Sequence, residues 1–180
     1  MKVSQERILI NPGYVSSLLG PLALAVAMDS RGDIFGLVDY SDVSQCALVI
    51  FHLIRPEFDV LDEATRQEVK KALGYLVENS VSSSSIIDSI LTQCEVCPEA
   101  HGIFINELWV SIFPAESSIE YVAEKCKVGR NPLNFRQYNH SRPAELSLQD
   151  RMNKLYEMLL INFDRKVDAE GRGTGEGDTI

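Results

Sequence analysis

Two stretches of this chain carry side chains whose type and spacing could do chemistry. The first runs from Lys125 to Pro143 and holds Lys125, Lys127, Arg130, Arg136 and Arg142, with no Asp or Glu among them. Phe135, Tyr138 and His140 are interleaved with these cations. Guanidinium groups give forked hydrogen bonds to phosphate or carboxylate, and an aromatic ring can stack on a base or another ring. The chain has a formal charge of −9 and this segment contributes +5, which leaves −14 on the remainder. A cationic stretch on an acidic body orients an incoming partner as well as attracting it. The competing account is internal. The arginines then fold back onto the chain's own carboxylates, with Leu133 and Phe135 in the core, because surface charges are usually solvated or locally paired.

The second stretch reads Cys94-Glu95-Val96-Cys97-Pro98-Glu99-Ala100-His101. Two thiolates at this spacing can grip one zinc ion, and a histidine four residues on could reach it. A closed site needs a fourth ligand, and Cys126, the one cysteine downstream, falls on an apolar stripe. A single CxxC is a weak metal motif, so Cys94 and Cys97 read first as small residues at a helix end. A redox pair is expected at the start of a helix, whereas this one follows a predicted helix and precedes Pro98.

Other chemistries find no signature in the residues. No serine lies in a Gly-x-Ser-x-Gly turn, and no glycine-rich loop opens a helix to cradle phosphate. His52 sits in the apolar run Ala47–Ile54 and reads as a packing residue. Asp59, Asp62 and Glu63 mark a helix start, where capping explains them. Arg31-Gly32-Asp33 matches an adhesion tripeptide but reads as a turn. The expectation is therefore a non-enzymatic protein-interaction module: an adaptor, assembly subunit or inhibitor- or immunity-type partner. It would dock another protein, or a second copy of itself, through Lys127, Arg130, Phe135, Arg136, Tyr138, His140 and Arg142. The alternatives are an anion- or RNA-binding protein using the same loop, and a domain stabilised by zinc through Cys94 and Cys97, with His101 a further candidate ligand. No other cofactor is indicated.

The 180 residues suffice for one domain with a real core, and a sequence pI near 4.8 argues against general nucleic-acid coating. The apolar run Tyr14–Met28 contains Ser16, Ser17, Gly20 and Pro21 and is short for a bilayer. No signal-like start is evident, so an intracellular, cytoplasmic protein with reduced thiols and no membrane partner is expected.

The elements that would position these residues form an α+β pattern: two antiparallel hairpins with about five helices, in one domain over 1–167. A mostly α-helical fold is the alternative. Residues 1–21 read as an irregular or short helical lead-in. Leu22-Ala-Leu-Ala-Val-Ala-Met28 alternates large and small, Asp29 to Asp33 is turn-rich, and Ile34 to Tyr40 is apolar, which predicts a hairpin over about 22–40. A second is expected over 102–113, turning at Asn106-Glu107. Helical stripes are Val43/Cys46/Ala47/Ile50/Leu53/Ile54, ended by Pro56, and Val69/Ala72/Leu73/Leu76/Val77, capped by Asp62. A third is Ile86/Ile87/Ile90/Leu91, with Ser85 and Asp88 as a capping box. A fourth is Ile119/Val122/Ala123/Cys126, capped by Ser117 and Glu120. The last is Leu148/Met152/Leu155/Leu159/Phe163, opened by Ser147 and Asp150. From residue 168 to 180 a flexible Gly-rich tail is expected, ending in Asp178-Thr179-Ile180, whose carboxylate suits a peptide-binding pocket less well than it suits a plain disordered end.

Overall fold

Apolar residues three and four positions apart dominate the chain, and the structure is accordingly mostly helical. A computed structural model describes residues 7–129 and 146–171, with side chains described as far as Asn162. In chain order the regular elements are β1 (Ile8–Ile10), α1 (Gly13–Leu18), α2 (Gly20–Met28), α3 (Val43–Val49), α4 (Arg55–Asp59), α5 (Glu63–Glu78), α6 (Ser84–Leu91), α7 (His101–Ile112), β2 (Cys126–Val128) and α8 (Leu148–Gly171). The one sheet among the described residues is the parallel pair β1–β2, with Ile8 opposite Cys126 and Ile10 opposite Val128.

Neither antiparallel hairpin forms; both expected sites are helices. Over 22–40 the chain instead makes α2, a turn and a short 3₁₀ segment, Phe35–Leu37. Leucine and alanine are strong helix formers, and Pro21 falls in the first turn, where its missing N–H costs nothing. Buried Leu18, Leu22, Ala25 and Val26 follow the helical period, so large–small alternation is a coincidence of composition here. Over 102–113 the buried set is His101, Phe104, Ile105, Leu108, Trp109 and Ile112, a complete helical stripe, while Asn106 is exposed on the other face of α7. The aromatic and β-branched content that suggested strands is overridden by tertiary packing.

The expected helix from Ser41 forms, capped by the Asp42 carboxylate accepting from the Ser44 amide at 2.9 Å. Pro56 does not end it. The rod continues through a π-helical turn, Ile50–Ile54, into α4, with Pro56 in the first turn of the new segment. A proline cannot donate to the carbonyl one turn back, and the wider π turn absorbs that defect. Arg151 of α8 then reaches this region. Its Nη2 donates to Glu57 Oε1 at 2.7 Å, and its Nη1 makes a long contact of 3.4 Å with the Leu53 carbonyl. Arg151 is buried, and its Nε has no hydrogen-bond partner among the described residues. On the other side of the rod Arg55 donates to the Ser111 carbonyl at 2.8 Å, satisfying one of the unpaired carbonyls at the end of α7.

Helix α5 forms as expected, with Asp62 accepting from the Thr65 amide at 2.7 Å. Two capping expectations fail. Asp88 does not cap α6 but pairs with His101, and Ser117–Cys126 is a 3₁₀ turn (Ile119–Tyr121) leading into β2 rather than a helix. The expected opening of α8 is present: Ser147 Oγ accepts from the Asp150 amide at 3.1 Å. The helical backbone of α8 runs past Val167 to Gly171, and the rest of the expected tail lies outside the described residues. The buried apolar residues form one cluster that reaches from Ile10 of β1 to Leu159 of α8.

Gly74 lets the Tyr121 ring lie directly on α5; a methyl group there would sit 2.8 Å from Tyr121 Cε2 and 3.1 Å from Trp109 Cζ3. Replacing a helical glycine with alanine ordinarily gains up to about 1 kcal/mol. Overpacking a tight contact costs about 1–3 kcal/mol, so Gly74→Ala should lower the urea unfolding free energy. Arg151→Ala should cost about 3 kcal/mol, because it leaves Glu57 without its partner, and the pair Arg151→Met with Glu57→Leu should recover most of that loss in the same assay.

Candidate functional site

The feature least explained by folding alone is α2. Its nine residues contain no polar side chain. Leu22, Ala25 and Val26 face the core, while Gly20, Leu24, Ala27 and Met28 are exposed on the opposite side. A helix that is apolar all round is normally covered all round. Here Leu24 is 55% and Met28 45% exposed. α2 packs on the π turn and on α8, and the π turn packs on α8. Each neighbour also presents a large apolar side chain to solvent: Phe51 on the π turn, Tyr156 and Leu160 on α8. No helix among the described residues is long and apolar enough to cross a membrane.

At the C-terminal end of α2 a cleft of about 320 Å³ opens between it and α8, lined by Met28, Asp29, Asp33, Ile34, Gln149, Met152 and Tyr156. Asp29 shapes its wall. One carboxylate oxygen accepts from the Asp33 amide at 3.1 Å, and the other from the Ile34 and Phe35 amides, both at 2.9 Å. The exposed charges on the segments beside α2 are four carboxylates and two cations: Asp33 and Arg31 on the loop after it, Glu95 just beyond the 3₁₀ turn Thr92–Cys94 that packs on α2, and Asp150, Lys154 and Glu157 on α8.

The expected metal ligands are not assembled. His101 is buried with both ring nitrogens occupied: Nδ1 lies 2.8 Å from Asp88 Oδ1 and Nε2 lies 2.9 Å from the Val96 carbonyl. The Cys94 thiol points at the Leu19 carbonyl, 4.0 Å away, and burial pushes it up to about 12. Cys97 is exposed, at the N-cap of the 3₁₀ turn (Pro98–Ala100) that feeds α7. The pair thus straddles the end of one helical run and the start of the next, joined through Glu95 with a positive φ of 53°. Cys126 is buried in β2, which raises its thiol, and Cys46 is buried against the Tyr40 carbonyl at 3.2 Å and is likewise raised by burial, to about 12. No group of three or more His, Cys, Asp or Glu residues suited to a metal occurs among the described residues. His52 is half-buried on the π turn, edge-on to Phe51 with centroids 5.1 Å apart; burial lowers its affinity for a proton, and the Lys154 ammonium adds to that.

Of the expected contact residues, Lys127 is exposed on β2, next to exposed Lys125, and neither is ion-paired to a described carboxylate. Arg130, Phe135, Arg136, Tyr138, His140 and Arg142 lie outside the described residues. Sequence reasoning missed the α2 face because it took that segment for a strand. The signal was present, as eleven consecutive residues from Leu18 to Met28 lack a polar side chain.

No protein-family model matches this chain, and neither a curated protein nor a solved structure matches it.

The burial pattern predicts thiol reactivity. Of the four cysteines, Cys97 alone should react with a disulfide reagent within minutes in native protein, with Cys46, Cys94 and Cys126 reacting only after unfolding in guanidinium. A titration that counts more than one fast thiol per chain contradicts this burial.

Proposed function

We propose that this protein is a non-enzymatic interaction module that docks another protein across the outer face of α2. The observation that carries the proposal is the nine-residue helix with no polar side chain and one whole side open to water. Exposed apolar area of this kind is the usual mark of a protein contact, and Leu24, Met28 and Phe51 are the anchors. The occupant is a segment of a different protein, apolar on one side and basic at its borders. Charge complementarity supports that choice, since the segments beside α2 expose Asp33, Glu95, Asp150 and Glu157 against Arg31 and Lys154, and the chain outside Lys125–Pro143 carries −14. A second copy of this chain would bring the same acidic flanks against them. The cationic segment Lys125–Pro143 belongs to the same proposal as a separate electrostatic contact, supported by the exposure of Lys125 and Lys127.

A photo-crosslinking side chain at position 24 or 28, introduced in the organism of origin, should trap one and the same protein, and one at exposed Gln67 on α5 should not. The trapped segment, made as a peptide, should bind purified protein, and Leu24→Glu should weaken that binding by tenfold or more, about 1.4 kcal/mol, without lowering the thermal midpoint. Crosslinks that lead to RNA, to lipid or only to further copies of this chain would overturn the proposal, as would a segment without basic residues.

A further inference from the structure

The geometry points to the cleft at the C-terminal end of α2 as a receiving pocket for one basic side chain, arginine or lysine, of the docked protein; this rests on the docking proposal and adds what the partner must carry. The walls divide by chemistry. Met28, Ile34 and the buried Met152 offer an apolar floor and side for a methylene stem, which long cationic side chains readily bury while the head stays polar. Tyr156 lines the same cleft, and an aromatic ring is a further attractive neighbour for a cation. Asp33 lies exposed at the rim, and the Gln149 amide adds a carbonyl oxygen.

Asp29 supplies the fixed charge. Three backbone amides hold its two oxygens at 2.9–3.1 Å, and these neutral donors anchor the carboxylate without cancelling its formal charge. It also stands at the C-cap of α2, where the helix carbonyls add to the negative potential. The neighbouring cations do not fill the cleft. Arg31 is exposed on the same loop and Lys154 on α8, but neither is among the lining residues. At about 320 Å³ the cleft is at the lower limit of small-molecule sites, which suits one long side chain.

The full chain can be tested without knowing the partner. The probe is Nα-acetyl-arginine N-methylamide, compared with its uncharged citrulline counterpart, followed by the methyl resonances of the methionines. The arginine probe should shift Met28 and Met152 saturably at tens of millimolar and leave Met158 unmoved, with the citrulline probe about tenfold weaker. Asp33→Asn, a nearly isosteric change at an exposed site, should weaken arginine binding by about threefold or more. Equal shifts with both probes, shifts of Met158 as large as those of Met28, or no saturable shift at all would overturn the pocket. None of these outcomes bears on the crosslinking at Leu24, so the pocket and the docking face fail separately.

Discussion

The ion pair between buried Arg151 and half-buried Glu57 is the contact on which the arrangement of the rest turns. A guanidinium taken out of water is costly unless it meets a carboxylate with good geometry, and here Arg151 meets the partly solvated Glu57 at 2.7 Å. The cause lies upstream, in Pro56. A proline in the middle of a helical rod removes a donor, the rod widens into a π turn, and the backbone around Leu53 and Glu57 becomes the place where a long cationic side chain can dock. That docking fixes α8 against the rod. The same helix borders α2 through Met152 and Tyr156, so the position of α2's open side follows from where Arg151 is held.

A helix with two apolar faces and one core to bury them in must leave one face uncovered. α2 covers its inner side with the π turn, α8 and the adjoining 3₁₀ turn. It cannot rotate to hide the other, because Leu22, Ala25 and Val26 already fill core positions. Rotation would exchange one set of exposed apolar side chains for another. Among the described residues, the exposure is thus a property of the sequence of α2 rather than of a loose fit.

The sequence made α3, α5 and α8 legible because each has one polar and one apolar face, and the capping residues Asp42, Asp62 and Ser147 sit where the backbone amides need them. It hid α2 and α7 for opposite reasons. In α2 every position is apolar, so no period stands out, and the alternation of leucine with alanine imitates a strand. In α7 the period is perfect, but Ile103, Phe104, Ile105 and Trp109 are residue types that favour strands, and composition outweighed spacing. The β1–β2 pair could not be read at all: two three-residue strands separated by more than a hundred residues leave no local pattern. Local spacing also misled at Asp88, whose partner His101 lies thirteen residues away on another helix. Of the candidate site, the apolar run was visible in the sequence, but its one-sided exposure depends on which neighbours arrive, and no window along the chain contains them.

The acidic balance of the chain bears directly on the open face. An uncovered apolar helix invites copies of the same protein to stick together. A formal charge of −9 raises the cost of bringing two copies into contact, and the segments beside α2 share that balance, exposing Asp33, Glu95, Asp150 and Glu157 against Arg31 and Lys154. For the basic partner proposed above, the same carboxylates would lower that cost, and charge rather than apolar contact would separate a right partner from a wrong one. Apolar area supplies affinity without choice, and the acidic border supplies choice. The cationic segment Lys125–Pro143 is then of value only if it stays away from that border, since five positive charges folded onto it would neutralise the discrimination they flank. On the proposed docking, separation of the two signs along the chain and an uncharged helix face beside acidic groups are parts of one physical requirement.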